Sequence, residues 1–328
     1  GIAFLLLLAF ALRIFRLGEQ SLWADEGYGL YLASQPLPDL SRDVLIDLNH
    51  VPLYFFVLHF WVRLAGESEF AVRYLSLLGG VLVPALSYRL GRTLFDRRVG
   101  IVAATLSTIA PFQVYYSQEA RMHIWTTVIV LLAANALTWA LDRPGDGRRW
   151  ALFASAGILG LYTFYYAGFA LAGLSLAAAA VLLARRQGRA LVVLVGANGV
   201  ILLAFAPWAL LAASRLAEQA EHKSKDFLRY DLVDFLSLNW KAAIAGVTAE
   251  PERLAWPLAP VGLALLLALP ALGRARYRPL LPLLLVVPLL GVFVINLRYP
   301  HFLPRYLLFA TPALYLLIAA GLSWPFAP

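Results

Sequence analysis

The sequence contains no cysteine, so neither a disulfide framework nor a thiolate metal site is open to it, and cysteine usage says nothing about compartment. Charge is scarce too. Only 14% of residues are charged while 61% are hydrophobic, a balance that excludes an ordinary water-soluble domain. Gly-rich phosphate-cradling loops are missing, which argues against a soluble fold built to hold a nucleotide. The short alternating segments of a transmembrane β-barrel are missing as well. No internal repeat of about 20–50 residues, low-complexity linker or second soluble domain divides the chain, so residues 1–328 read as one membrane domain.

What the chain has in abundance is apolar runs of about 20 residues, each long enough to cross a bilayer as a helix. They predict an all-α, polytopic transmembrane helical bundle with spans near 1–15, 73–94, 99–116, 122–141, 150–165, 167–184, 190–212, 256–272, 279–296 and 306–324. Prolines inside spans, such as Pro84, Pro207 and Pro288, read as tolerable kinks. The run 51–64 is shorter, carries His59 and Arg63, and reads as a juxtamembrane helix in the first outer loop. The chain opens on an apolar run without an initiator Met and stops just past another span, and so reads as a piece of a longer protein.

The net charge of +8 would point to nucleic acid in a soluble protein. Here most basic residues fall in short breaks: Asp96-Arg97-Arg98, 142–149, 185–189 and 274–278. With the ten spans above, all four lie on one side, which the positive-inside rule makes the cytoplasm. Membrane lipids, not nucleic acid, are the expected surroundings. The opposite side receives the loop 16–72, the turn 117–121, the loop 213–255 and the turn 298–305, and with them nearly all the carboxylates. Any catalytic face is therefore expected to be extracytoplasmic.

Four segments on that face carry candidate chemistry. Trp23-Ala24-Asp25-Glu26 places two carboxylates after the first span; on a helix they point about 100° apart and cannot aim at one atom. One is suited to act on a substrate and the other to support it, or both open a helix over 25–34, where acids favour the N-terminal dipole. His50 stands before Pro52-Leu53-Tyr54, as a site residue or, with Asn49, as a cap. Glu119 and Arg121 share the next outer turn. Arg305-Tyr306 enters the last span, its guanidinium placed either to snorkel to headgroups or to hold a phosphate.

In this order the segments resemble the GT-C glycosyltransferases of the protein O-mannosyltransferase and lipid A aminoarabinose transferase type, often called family 39. The resemblance runs through Trp23-x-Asp25-Glu26, His50-x-Pro52-Leu53-Tyr54, Gly66-x-Ser68-Glu69-Phe70-Ala71-Val72-Arg73, Leu90-Gly91-Arg92-x-Leu94-Phe95, Tyr115-x-Ser117-Gln118-Glu119-Ala120-Arg121-Met122 and Arg305-Tyr306. It departs at Val51, where a proline is commoner, and at His123, where many relatives carry tyrosine.

The resemblance implies an inverting transferase of a bacterial or archaeal plasma membrane, drawing its sugar from a polyprenyl-phosphate donor. Asp25 would be the base and Glu26 its support. His50, Tyr54, Glu119, Arg121, Arg305 and Tyr306 would bind donor or acceptor, with the arginines neutralising phosphate. A divalent cation is left open, with Glu26, His50 and Glu119 as its candidate ligands. The rival reading is a lipid or glycolipid transporter without transferase activity. That class should carry ionisable groups near the midplane, whereas the spans from 122 to 296 hold Asp, Glu, Lys or Arg only at their edges.

Overall fold

A computed structural model describes residues 1–48, 50–223, 229–249, 255–300 and 302–326, without side-chain placement at 214–223 and 255–259. Among the described residues there is no strand. Asn49, one of the suggested caps, lies outside them.

The chain enters through α1 (Ile2–Ile14) and then folds three short helices: α2 (Ala24–Ser34), α3 (Leu37–Asp47) and α4 (Leu53–Ala65). The sequence suggests α2 and α4 but not α3, whose stretch of mixed polarity shows no apolar run. Long helices follow: α5 (Glu69–Leu94), α6 (Arg97–Ile109) with α7 (Pro111–Ser117), α8 (His123–Asp142), α9 (Gly147–Thr163), α10 (Ala167–Ala184) and α11 (Gly188–Lys223). The chain closes with α12 (Leu232–Ala245), α13 (Ala255–Arg274), α14 (Leu280–Arg298), a 3-10 segment Pro304–Ala310 and α15 (Thr311–Ser323). Side-chain caps start several of them. Ser68 accepts from the Ala71 N–H, Asp96 from Val99 and Asp231 from Asp234.

Each of the ten apolar runs forms a helix, but their lengths differ. Among the described residues, six helices are long and apolar enough to cross a membrane, or seven with α6 and α7 taken as one bent span. α1 has 13 residues, α9 has 17, and the described apolar part of α13 is Pro260–Arg274. The expected straight span 99–116 is instead bent by 57° between α6 and α7. Pro111 drives the bend: it pushes Ala110 out of the helical region (φ −58°, ψ 119°) and restarts the helix from its own N1 position. The expected loop 213–255 is likewise partly helical, since α11 runs on to Lys223 and α12 lies within it.

The bundle has a centre and a rim. In the span Pro304–Phe326, 89% of the apolar window is buried, against 17% for Gly188–Ala213, whose Val195, Leu202, Leu203 and Leu210 face outward as lipid-facing residues do. Close approach needs small residues. A Cβ on Gly80 of α5 would fall 2.2 Å from the Ser117 hydroxyl and 2.8 Å from Arg13 Nε.

Arg13 is wholly buried in that junction and answers the break at Pro111. Its Nη1 and Nη2 donate to the Thr108 and Ser107 carbonyls at 3.1 Å each, near the end of α6. Its Nε donates to Ser117 Oγ at 3.1 Å, at the end of α7. A bent helix leaves carbonyls without intrahelical donors, and this guanidinium supplies them.

The four arginine-rich breaks meet at one end of the bundle. The Arg276 N–H donates to the Leu94 carbonyl at 2.9 Å, the Arg276 side chain pairs with Asp142 at 2.9 Å, and Arg185 lies 5.2 Å above the Tyr277 ring. Asp25, His50, Glu119, Arg121 and Arg305 gather at the other end.

Candidate active site

α2 begins at Trp23, whose extended backbone (φ −83°, ψ 172°) turns the chain into the helix. Glu26, at the third helical position, is buried and fully engaged. Arg73 of α5 closes on it with two parallel bonds, Nε to Oε1 at 2.9 Å and Nη2 to Oε2 at 2.7 Å. The Ala120 N–H adds a third bond, to Oε1, at 2.8 Å. Arg73 also donates to the carbonyls of Leu17, Gln20 and Ser21. One buried ion pair thus fastens the segment between α1 and α2, the start of α2, α5 and the turn before α8. Geometry this complete is what makes a buried pair tolerable.

Asp25 points elsewhere. Its carboxylate is about one-third exposed and faces two guanidiniums: Arg305 Nη2 donates to Oδ2 at 2.8 Å, and Arg121 Nη2 stands 3.9 Å from the same oxygen. Arg121 Nη1 also donates to the Asp25 carbonyl at 3.1 Å. Arg305 reaches Asp25 from the 3-10 segment, with its guanidinium carbon 4.9 Å from the centre of the Trp23 ring.

Glu119 and Arg121 sit in the turn between α7 and α8, both buried. Gln118 pins the turn by donating to the carbonyls of Arg13 and Phe15. Burial raises the Glu119 carboxyl to about 7; Arg305 and Arg121 pull the other way, and Glu26 adds to the rise. Burial lowers the Arg121 guanidinium, an effect that the Asp25 carboxylate opposes.

His50 completes the ring of contacts. Its Nδ1 lies 2.8 Å from Asp47 Oδ2 and its Nε2 3.2 Å from Arg121 Nη2. Tyr54 is buried in α4, and burial raises its phenol. Tyr306, beside Arg305, is also buried, with its ring stacked on Tyr166 at 5.3 Å.

All eight residues singled out in the sequence therefore fall at one end of the bundle. The suggested cation ligands are a different matter. Glu26 is held by Arg73 and Ala120, His50 faces an arginine, and among the described residues no group of three or more His, Asp or Glu could hold a metal.

Arg73, Asp47 and Arg13 carry much of this arrangement without having been singled out. Arg73 lies in the quoted run 66–73, but nothing in the spacing shows that its partner is 47 residues upstream.

Beside the polar cluster runs a cavity of about 1000 Å³. Its walls are mainly apolar, with Phe112, Trp240, Leu265, Leu285, Leu307 and Thr311 among them. Leu307 belongs to the same 3-10 segment as Arg305, two residues further on, while none of the eight residues above lines the cavity itself.

The profile of the dolichyl-phosphate-mannose-protein mannosyltransferase family matches residues 49–223, more than half of the chain. The chain belongs to this family. Its fold is the GT-C membrane fold. ArnT from Cupriavidus metallidurans in the apo state superposes with a TM-score of 0.68 at 15% identity, over 98% of this chain and 59% of ArnT. The same protein bound to undecaprenyl phosphate gives 0.64 at 18% identity, over 98% and 60%. The Archaeoglobus fulgidus oligosaccharyltransferase, in complex with Zn and sulfate, gives 0.57 at 16% identity, over 99% of this chain and 49% of that one. The chain thus spans between about half and three fifths of the length of these structures. No curated protein sequence matches it at a significant level. This family member is an integral membrane protein.

Proposed function

We propose that the chain carries the catalytic end of a glycosyltransferase that moves a sugar from a polyprenyl-phosphate donor to an extracytoplasmic acceptor, with inversion at the anomeric carbon. The observation that carries this reading is the partly exposed Asp25 carboxylate set against two guanidiniums, Arg305 at 2.8 Å and Arg121 at 3.9 Å.

Glu26 and Arg73 cancel each other, so two guanidiniums face Asp25 and a Glu119 that is only partly charged near pH 7. Around the Asp25 carboxylate itself two guanidiniums face one full negative charge, a local excess that suits a phosphate. As a donor phosphate takes up the arginines, the Asp25 carboxylate becomes available to an acceptor. It takes the proton from the acceptor oxygen, which attacks the anomeric carbon while the bond from that carbon to the phosphate oxygen breaks. The electron pair leaves with the polyprenyl phosphate, which Arg305 and Arg121 neutralise. His50 and Tyr54 line the Arg121 side of the site, and Tyr306 the Arg305 side.

The apolar cavity beginning at Leu307 suits the polyprenyl chain, and the arginine-rich far end supports placing the site outside the cytoplasm. ArnT, solved with undecaprenyl phosphate, supports the donor class.

The test is sugar transfer by purified protein in liposomes, supplied with a panel of radiolabelled polyprenyl-phosphate hexoses and pentoses and with envelope extract as acceptor. Asp25→Asn keeps the shape and loses the proton acceptor. Transfer should fall about 10²- to 10⁴-fold while the protein stays folded. Near wild-type turnover in that variant would sink the proposal.

A further inference from the structure

Leu48 caps the C-terminus of α3 in the left-handed conformation (φ 45°, ψ −6°), while its N–H still donates to the Val44 carbonyl. A branched side chain rarely takes this conformation unless its surroundings impose it. Here they do. The Leu48 side chain is buried, and its carbonyl accepts from the Tyr165 hydroxyl at 2.8 Å. That hydroxyl in turn accepts from Trp208 Nε1 of α11 at 2.8 Å. The membrane helices thus hold the turn after α3 and fold the chain back, so that His50 faces Asp47, three residues earlier.

The contacts then determine where the imidazole proton sits. A guanidinium only donates, so at 3.2 Å from Arg121 Nη2 the His50 Nε2 must accept. The proton is therefore on Nδ1 and is donated to Asp47 Oδ2 at 2.8 Å. The Tyr28 hydroxyl reaches the same carboxylate oxygen at 3.3 Å.

We propose that Asp47 is a positioning residue of the transfer site: by fixing His50 as the Nδ1–H tautomer it keeps Nε2 an acceptor, and so orients the Arg121 guanidinium toward Asp25 and the donor phosphate. Without the Asp47 acceptor, His50 gains the freedom to carry its proton on Nε2, where it would oppose Arg121 donor to donor. An outer carboxylate that sets the tautomer of an imidazole is a general device for aiming the group beyond it. Arg121 is the group aimed here. The functional part of this proposal rests on the transferase reading above, whereas its tautomer part does not.

Two readouts test it. The first is ring ¹⁵N NMR of ¹⁵N-histidine-labelled protein in detergent micelles, with His50→Gln identifying the His50 signals among the five histidines. Wild type should show the Nδ1–H tautomer alone. Asp47→Ala should show a mixture. Asp47→Asn, whose amide oxygen can still accept from Nδ1–H, should keep the wild-type pattern.

The second readout is donor kinetics, with binding of a polyprenyl phosphate measured in parallel. Asp47→Ala should raise the donor KM about tenfold and change kcat much less, while Asp47→Asn should stay within about threefold of wild type. An Nε2–H tautomer in the wild-type protein would overturn the proposal without any variant. So would an unchanged tautomer in Asp47→Ala, or equal KM losses in the two variants. If Asp25→Asn proved fully active, the base assignment would fall while the tautomer and binding results still judged Asp47.

Discussion

Arg305 and Asp25 meet at 2.8 Å although 280 residues separate them in sequence, so the last described span closes the cluster that the segment after α1 opens. The pair lies against the Trp23 ring with Arg121 close behind, and Leu307, two residues beyond Arg305, lines the apolar cavity. On the proposed function, a lipid phosphate would set its charged head between the two arginines and its apolar tail toward the cavity.

Arg305→Ala should therefore weaken binding of a polyprenyl phosphate by about tenfold to a hundredfold, the range of one charge-assisted contact. Arg298→Ala, at an exposed guanidinium on the end of α14, should change it less than twofold. Arg305→Lys should recover only part of the loss, because an ammonium keeps the charge but not the planar fork. Donor titration by calorimetry or fluorescence checks all three. Equal affinity for wild type and Arg305→Ala would remove Arg305 from the donor site.

Much of this fold was legible in the sequence because a bilayer leaves few choices: an apolar run of sufficient length becomes a helix. α5, α8, α10 and α14 follow from that rule directly. The departures arise where local chemistry outweighs hydropathy. Pro111 bends a run that reads as one span, and α12 forms inside what reads as a loop. The candidate site was legible as residue types in order, but not as pairs. Nothing in sequence spacing matches Glu26 to Arg73 or His50 to both Asp47 and Arg121, because those pairings depend on how the helices pack.

Arg13 makes a sharper test of the fold. On hydropathy alone, removing an arginine from an apolar helix should stabilise the protein, since a cation costs up to about 2.5–3.5 kcal/mol at the centre of a span on insertion scales, and less in a last turn such as Arg13's. The observed contacts predict the reverse. Arg13→Met would leave the Ser107 and Thr108 carbonyls without their donor where water is scarce, at about 1–3 kcal/mol each. The apparent Tm in detergent should fall by several degrees, and Arg13→Lys should restore part of the loss. A more thermostable Arg13→Met protein would show that these contacts do not hold α6 to α7.

Glu119 sets a pH dependence whose sign follows from its environment. Burial raises its carboxyl from an ordinary 4.5 to about 7, so the folded protein binds this proton more tightly than the unfolded chain does. The stabilisation belonging to the protonated form is complete below about pH 4.5 and is lost as pH rises through 7. Glu119→Gln mimics that protonated form at every pH. Its stability relative to wild type should therefore grow between pH 5 and pH 8 by at most about 3 kcal/mol, an upper bound in which the pull of Arg305 and Arg121 toward the charged form is already counted. Apparent Tm of the two proteins at pH 5 and pH 8 checks the sign. A Tm difference that stays constant, or that shrinks toward pH 8, would mean that Glu119 is already fully charged between its arginines at the lower pH.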